Sequence, residues 1–439
     1  MSIMFQLLSF TSTLTWSFFH LVLVVYWKRN KARGTILKSP PGLWKLPLIG
    51  NLHQLFTSGS LPHYSLRDLA KKHGPVMRLQ LGEVSAVIIS SPKAAREVWK
   101  THELCFAQRP DFFVSEFLSY DYSGILTTPY GDCWRQMRKI FHSFRSVREE
   151  EVWNLIETLS LSNGLSINLS KHLFALTNTV TSRATFGEKC KAQDEFISLV
   201  KEIMLLTSGF NVPDLYPSLK FIASINGMKT ALKRLHQKRD NILEDIIDDH
   251  KMKMITTSTT NDSSCKEDLV DMLLKLQKSS DLKFEITTKH IKAVTSVRLA
   301  GGETAATTLE WAMSELLRNP KVMEKAQAEV RKVFEGKRKI EYTDTQKLDY
   351  VKLVVKETLR LHPPATLIPR ECRERCEING YDIPTKTKVI VNVWAIGRDP
   401  DYWVNADCFQ PEGFHGSSVD FKGNDFQFLP FGAGRCVQA

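Results

Sequence analysis

From Ser2 to Trp27 the chain carries no Lys, Arg, Asp or Glu, and Phe18, Phe19, Leu21, Val22, Leu23, Val24 and Val25 form the apolar centre of that run. About 20 apolar residues suffice to cross a bilayer. The run gives way to Lys28-Arg29-Asn30-Lys31-Ala32-Arg33, and basic flanks stay on the cytosolic side. The pattern predicts a single-pass anchor over residues 1–27 with the body in the cytosol. A cleaved signal peptide fits less well: no small-residue cleavage site is visible, and the basic cluster follows the apolar run. Ser39-Pro40-Pro41-Gly42 and Leu46-Pro47-Leu48-Ile49-Gly50-Asn51 make a stiff, turn-rich connector, in which proline fixes the backbone and glycine permits the bends. Residues 28–51 therefore read as a basic stop and a proline-rich hinge, and 52–439 as one large body.

In that body the helical period dominates. Short β-like runs stand at Val76–Leu81, Ala86–Ile89 and Val389–Val393. The Thr- and Ser-rich stretch Met252–Ser264 reads as a flexible loop between long helices. The expected fold is mainly α with small β-sheets.

With 439 residues, 43% of them hydrophobic, the chain can bury a large core. Its formal charge of +11 suits nucleic acid, an anionic membrane surface or an acidic partner. No zinc-finger spacing or aromatic-basic RNA motif is present, so no nucleic-acid partner is expected. The eight cysteines are scattered and form no secreted disulfide framework. Cys372 and Cys376 lack a second pair or a nearby histidine that would make them a metal site.

Candidate chemistry sits in a few short segments. Ala300-Gly301-Gly302-Glu303-Thr304 lies in a helix whose apolar face continues through Leu309, Ala312, Met313 and Leu316 and which ends at Asn319-Pro320. Adjacent glycines cost such a helix about 1 kcal/mol each relative to alanine. A groove for a small ligand or close helix packing would each compensate. Glu303 and Thr304 offer a carboxylate and a hydroxyl that could relay protons. Glu357 and Arg360, three apart, share a helix face and can pair. Beyond a proline turn, Arg370 offers a planar donor fork. Trp134 and Arg138, four apart, share another helix face. Phe428-Leu429-Pro430-Phe431-Gly432-Ala433-Gly434-Arg435-Cys436 sets a cysteine behind a glycine-rich turn, as is needed to present a thiolate to a haem iron.

In this order the segments resemble a plant microsomal cytochrome P450, a haem-thiolate monooxygenase. Phe106-Ala107-Gln108-Arg109-Pro110 and Thr307-Thr308-Leu309-Glu310-Trp311-Ala312-Met313-Ser314-Glu315-Leu316 extend the resemblance between motifs. It implies a mainly helical body with a small β-rich lobe, holding haem b between two long helices. It implies electrons from NADPH through a membrane-bound NADPH–cytochrome P450 reductase, and insertion of one oxygen atom of O2 into an apolar small molecule, a terpenoid or other secondary metabolite. It places the protein at the endoplasmic reticulum membrane. By the same resemblance Cys436 is the metal ligand, and Thr304 and Glu303 manage oxygen and its protons. Trp134, Arg138, Arg370, Phe431, Gly434 and Arg435 hold the cofactor, and Glu357 and Arg360 are structural. Phe113, Phe117, Leu118, Phe210, Leu367 and Ile368 are expected to line the substrate pocket.

The chain departs from that pattern in places. Arg435 abuts Cys436, where the family has two more residues between Gly434 and the cysteine. The helix that follows the cysteine in the family is missing, so the body reads as truncated at the ligand loop. Gly413 stands where the family usually has an arginine, which would leave Glu357 with one partner. Only Phe141 and His142 stand between Ile140 and Ser143, a connection that is longer in the family. Arg298 takes a normally apolar site. These departures motivate an alternative reading, a non-catalytic, membrane-anchored remnant or splice form with impaired haem binding.

Overall fold

The computed structural model describes residues 38–56, 59–121, 123–124, 145–162, 164–187, 193–207, 211–260, 267–278, 285–337 and 341–434. The N-terminal apolar run, Trp134, Arg138, Phe210, Arg435 and Cys436 lie outside them. Among the described residues no helix is long and apolar enough to cross a membrane.

Helix α1 (Pro62–His73) leads into an antiparallel hairpin of β1 (Val76–Leu81) and β2 (Val84–Ile89), paired from Val76↔Ile89 to Leu81↔Val84. Later in the chain come β3 (Leu367–Glu371), the small hairpin β4 (Cys376–Ile378) and β5 (Tyr381–Ile383), and β6 (Lys388–Asn392). The main sheet runs in the order β1-β2-β6-β3, with β2 and β6 parallel and β3 and β6 antiparallel. Val and Ile dominate its central strands because β-branched side chains pack well on a pleated surface. Three of the four strands of the main sheet, β1, β2 and β6, are the runs the sequence pattern expects, while β3 and the β4–β5 hairpin are not among them. Strand β6 ends one residue early, at Asn392, whose side chain accepts the Ala395 N–H at 3.0 Å and starts a helical turn.

The remaining body is helical: α2 (Arg145–Leu161), α3 (Leu169–Phe186), α4 (Gln193–Thr207), α5 (Met228–Thr260), α6 (Leu269–Lys278), α7 (Thr288–Arg318), α8 (Pro320–Phe334) and α9 (Asp349–Leu361). The 31 residues of α7 run about 46 Å at 1.5 Å each. The helix stops where expected, with Asn319 as its C-cap and Pro320 opening α8. A core of Leu243, Ile247, Leu269, Leu273 and Val294 joins α5, α6 and α7. Lys292 of α7 ties the helix to α5 through Asp240, at 2.8 Å, and Glu244.

The expected loop at Met252–Ser264 is corrected as far as Thr260, to which α5 continues, and 261–264 lie outside the described residues. Thr256 Oγ1 donates to the Met252 carbonyl at 3.0 Å. That bond disposes of the hydroxyl without supporting the helix. The turn stays helical as the continuation of a 33-residue helix, since adding a residue to a formed helix costs far less than starting one.

Candidate active site

Adjacent residues of a helix point about 100° apart, so Ala300–Thr304 fans its chemistry over different faces of α7. Gly302 is buried against α3: a Cβ there would lie 2.8 Å from Asn178 Oδ1 and 3.2 Å from Thr181 Oγ1. Gly301 faces the other way, with nothing within 4 Å of an added Cβ. Each explanation for the glycine pair thus applies to one glycine, helix packing to Gly302 and an open face to Gly301. Thr304 is exposed on that open side, its Oγ1 donating to the Gly301 carbonyl at 3.0 Å.

Glu303 does not join Thr304. Its carboxylate turns toward α3 and α4, 3.9 Å from Lys201 Nζ, and lines a small cavity with Asn178, Phe196 and Leu299. The expected carboxylate–hydroxyl pair is therefore divided between two faces.

Glu357 and Arg360 form a buried fork, Nε and Nη2 of the arginine each donating to a carboxylate oxygen at 2.7 Å. Nη1 also reaches the carbonyls of Gly397 and Ala406, both at 2.6 Å, and Nη2 that of Cys408 at 3.0 Å. Glu357 accepts the Gln410 N–H at 2.7 Å. Glu357 therefore has a second partner without help from position 413, which corrects the expectation drawn from Gly413. Nothing lies within 4 Å of a Cβ added there. The pair fixes the segment from Gly397 to Gln410, and Phe414 just beyond packs on Phe428, ring centroids 5.1 Å apart, at the entry to the glycine turn.

That turn rests on the π-helical turn Glu97–Thr101 and on β3. Gly434, at φ +76°, comes so close that a Cβ would lie 2.6 Å from the Trp99 carbonyl oxygen. A Cβ on Gly432, at φ +81°, would lie 3.4 Å from Ile368 Cδ1. Arg370 is 2% exposed, its guanidinium 6.0 Å from the Trp99 ring and its Nη1 donating to the Pro369 carbonyl at 3.1 Å. Phe431 is half-buried and meets Phe421 edge-on at 6.0 Å. The structure thus gathers Phe431, Gly434 and Arg370 in one place and adds Trp99, which no motif spacing signalled. The Trp99 indole N–H is buried and has no hydrogen-bond partner among the described residues.

Half-buried on α7, Arg298 has its pKa pushed down by burial and then by the charge of Arg148 from α2. A larger cavity of about 260 Å³ runs along α7, lined by Leu118, Phe196, Val200, Val297 and Ala300 among others. Of the side chains expected in a pocket, Leu118 is there. Phe113 and Phe117 instead pack edge-on at 5.2 Å in a cluster with Ala223 and Leu232. Leu367 packs on the sheet core, and Ile368 lies under the glycine turn. Arg239 lines the cavity unannounced by the sequence.

The pattern of the cytochrome P450 family matches residues 40–437. The chain belongs to the cytochrome P450 family. It is 51% identical over 444 residues to melianol synthase CYP71BQ5 of Azadirachta indica, covering 99% of this chain and 87% of that one. Against premnaspirodiene oxygenase of Hyoscyamus muticus it is 49% identical over 431 residues, 95% of this chain and 85% of that one. A solved zebrafish cytochrome P450 with progesterone shares the fold at a TM-score of 0.72 and 26% identity, over 86% of this chain and 87% of that one. The mainly helical cytochrome P450 fold with small sheets is thereby established, and the chain is a cytochrome P450 monooxygenase.

Membership in the cytochrome P450 family implies haem. The described residues suit it: a buried guanidinium at Arg370 and the unpartnered indole N–H of Trp99 are donors for carboxylate groups. Gly432 and Gly434 present bare backbone beside them.

Proposed function

We propose that this cytochrome P450 inserts one oxygen atom of O2 into an apolar terpenoid, drawing electrons from NADPH through a membrane-bound reductase. The observation that carries the reading is the apolar cavity along α7, which reaches Ala300, the residue before Gly301 and one helical turn before the exposed Thr304. When bound, haem supplies the redox chemistry that divides dioxygen. Cys436 is its thiolate ligand, and Trp134, Arg138, Arg370 and Arg435 hold its carboxylates. Thr304 holds a proton on Oγ1 at the open face and can release and regain it. Its bond to the Gly301 carbonyl fixes the direction of that hydroxyl. The apolar lining binds and orients the substrate and keeps water from it. The activities in the names of the melianol synthase and premnaspirodiene oxygenase relatives support oxidation of a terpenoid. The uncharged run before the Lys28–Arg33 cluster supports a single-pass anchor in the endoplasmic reticulum membrane, with the body in the cytosol.

The test is the reduced carbon monoxide spectrum of the haem-loaded chain beside that of Cys436→Ser. A thiolate-type shifted Soret band in the first and its loss in the second are expected. No such band in the unsubstituted chain with haem supplied overturns the reading in favour of a non-catalytic remnant.

A further inference from the structure

Among the described lining residues of the larger cavity, Arg239 is the one cation. It is 5% exposed. Its Nη2 donates to the Leu118 carbonyl at 2.9 Å and lies 3.2 Å from His236 Nδ1, while the guanidinium stacks over the Tyr120 ring at 4.6 Å. Nε has no hydrogen-bond partner among the described residues. Among the described residues no carboxylate lies within ion-pair distance of it, and the adjacent Asp240 is engaged by Lys292 at 2.8 Å. A buried guanidinium without an anion is costly. The lining around it is apolar apart from Ser115, Ser119 and Ser296. An oxygen acceptor brought in by a ligand would offset that cost through a charge-assisted hydrogen bond.

The position of Arg239 along the cavity adds length to this chemistry. The Asp240–Lys292 contact sets that part of α5 beside Lys292 of α7. Thr304 lies twelve residues further along α7, about 18 Å at the helical rise. Between them the cavity follows the helix from Ala293 to Ala300.

We propose that Arg239 anchors an oxygen acceptor at one end of an elongated apolar substrate whose other end lies at Gly301 and Thr304. The inference rests on the proposed reading of this cavity as the substrate site and deepens it. The molecule spans on the order of 15 Å, the reach of a skeleton of four or five fused rings and not of a bicyclic one. It arrives already carrying a ketone, hydroxyl or carboxylate at the end remote from the carbon to be oxidised. A prior oxygenating reaction on the same skeleton must therefore supply it.

Equilibrium dialysis of the haem-loaded full chain with lupenone, which bears a ketone on its first ring, and with the matching hydrocarbon lup-20(29)-ene tests this. The ketone is expected to bind about 10- to 100-fold more tightly, the range for a hydrogen bond to a charged donor. Arg239→Leu should abolish the difference. Arg239→Gln, which keeps an N–H for the Leu118 carbonyl, should do the same if the leucine variant does not fold. Equal binding of the two compounds by the unsubstituted chain, or a ketone preference that survives in both variants, overturns the anchor and leaves the apolar site standing. Failure of both compounds to bind overturns the elongated substrate, and the reduced carbon monoxide spectrum decides separately whether the reading beneath it stands.

Discussion

At the scale of single residues, Glu357 carries more than its pairing with Arg360. One carboxylate takes two guanidinium N–H groups and the Gln410 amide, and the guanidinium takes three carbonyls in the segment that follows β6. Glu357→Gln replaces the anion and leaves Arg360, 3% exposed, as a buried cation facing only dipoles. Removing one member of a buried ion pair costs about 3–5 kcal/mol. Urea denaturation of the variant should show a loss of that size, with an unchanged denaturant slope. Arg360→Lys should be nearly as damaging, because a lysine point charge cannot serve two carboxylate oxygens and three carbonyls at once. A loss below about 1 kcal/mol in the glutamine variant would mean that the carbonyls alone hold Arg360.

At the scale of elements, the paired glycines of α7 do different work. Alanine is favoured over glycine in a helix interior by about 0.8–1.0 kcal/mol. At position 301 no atom lies within 4 Å of the new methyl, so Gly301→Ala should gain about that much stability. At 302 the methyl would meet Asn178 Oδ1 at 2.8 Å and press α3 away, so Gly302→Ala should lose stability. Thermal unfolding of the two variants side by side checks the opposite signs, and equal shifts would show that α3 gives way freely. The elements themselves were largely legible, because strand alternation, the Asn319-Pro320 stop and the i, i+3 spacing of Glu357 and Arg360 are local signals. The failures share a physical reason. Met252–Thr260 looked like a loop because its composition is poor for helix, yet it continues a helix already formed, and propagation overrides that preference. Glu303 looked like a partner for Thr304 because they are adjacent, whereas helical geometry sends neighbours to different faces. Trp99 and Arg239 could not be found, because the chain brings them to the site from segments that carry no spacing of their own.

At the scale of the whole molecule, a buried histidine contact makes the helical core sensitive to pH. His250 joins α5 to the start of α6 within the helical core. Its Nδ1 lies 2.7 Å from the Ile246 carbonyl and its Nε2 2.9 Å from Asp268 Oδ2. Both partners are acceptors, so both ring nitrogens must donate, which requires the imidazolium. Burial alone would lower its pKa. The bond to Asp268 and its charge, with the Ile246 carbonyl and then Asp271, outweigh burial and raise it. Asp268 in turn accepts the Asp271 N–H at 2.9 Å and holds the first turn of α6, while the Asp271 carboxyl is itself raised by burial and by the charge of Asp268. A group whose folded pKa exceeds its unfolded value, about 6.5 for histidine, stabilises fully below that value. The contribution fades as pH rises through the folded pKa. His250→Gln, which can still donate to one acceptor but carries no charge, should therefore be less stable than the parent chain by the widest margin near pH 5.5, and the margin should narrow toward pH 9 (both about a unit or more from the unfolded value). Urea denaturation followed by far-UV circular dichroism at both pH values measures the two margins. A margin that does not change with pH would mean that His250 is neutral throughout and contributes by packing alone. In that case Asp268 would hold α6 without a counter-charge, and the helical core would gain no sensitivity to alkali from this contact.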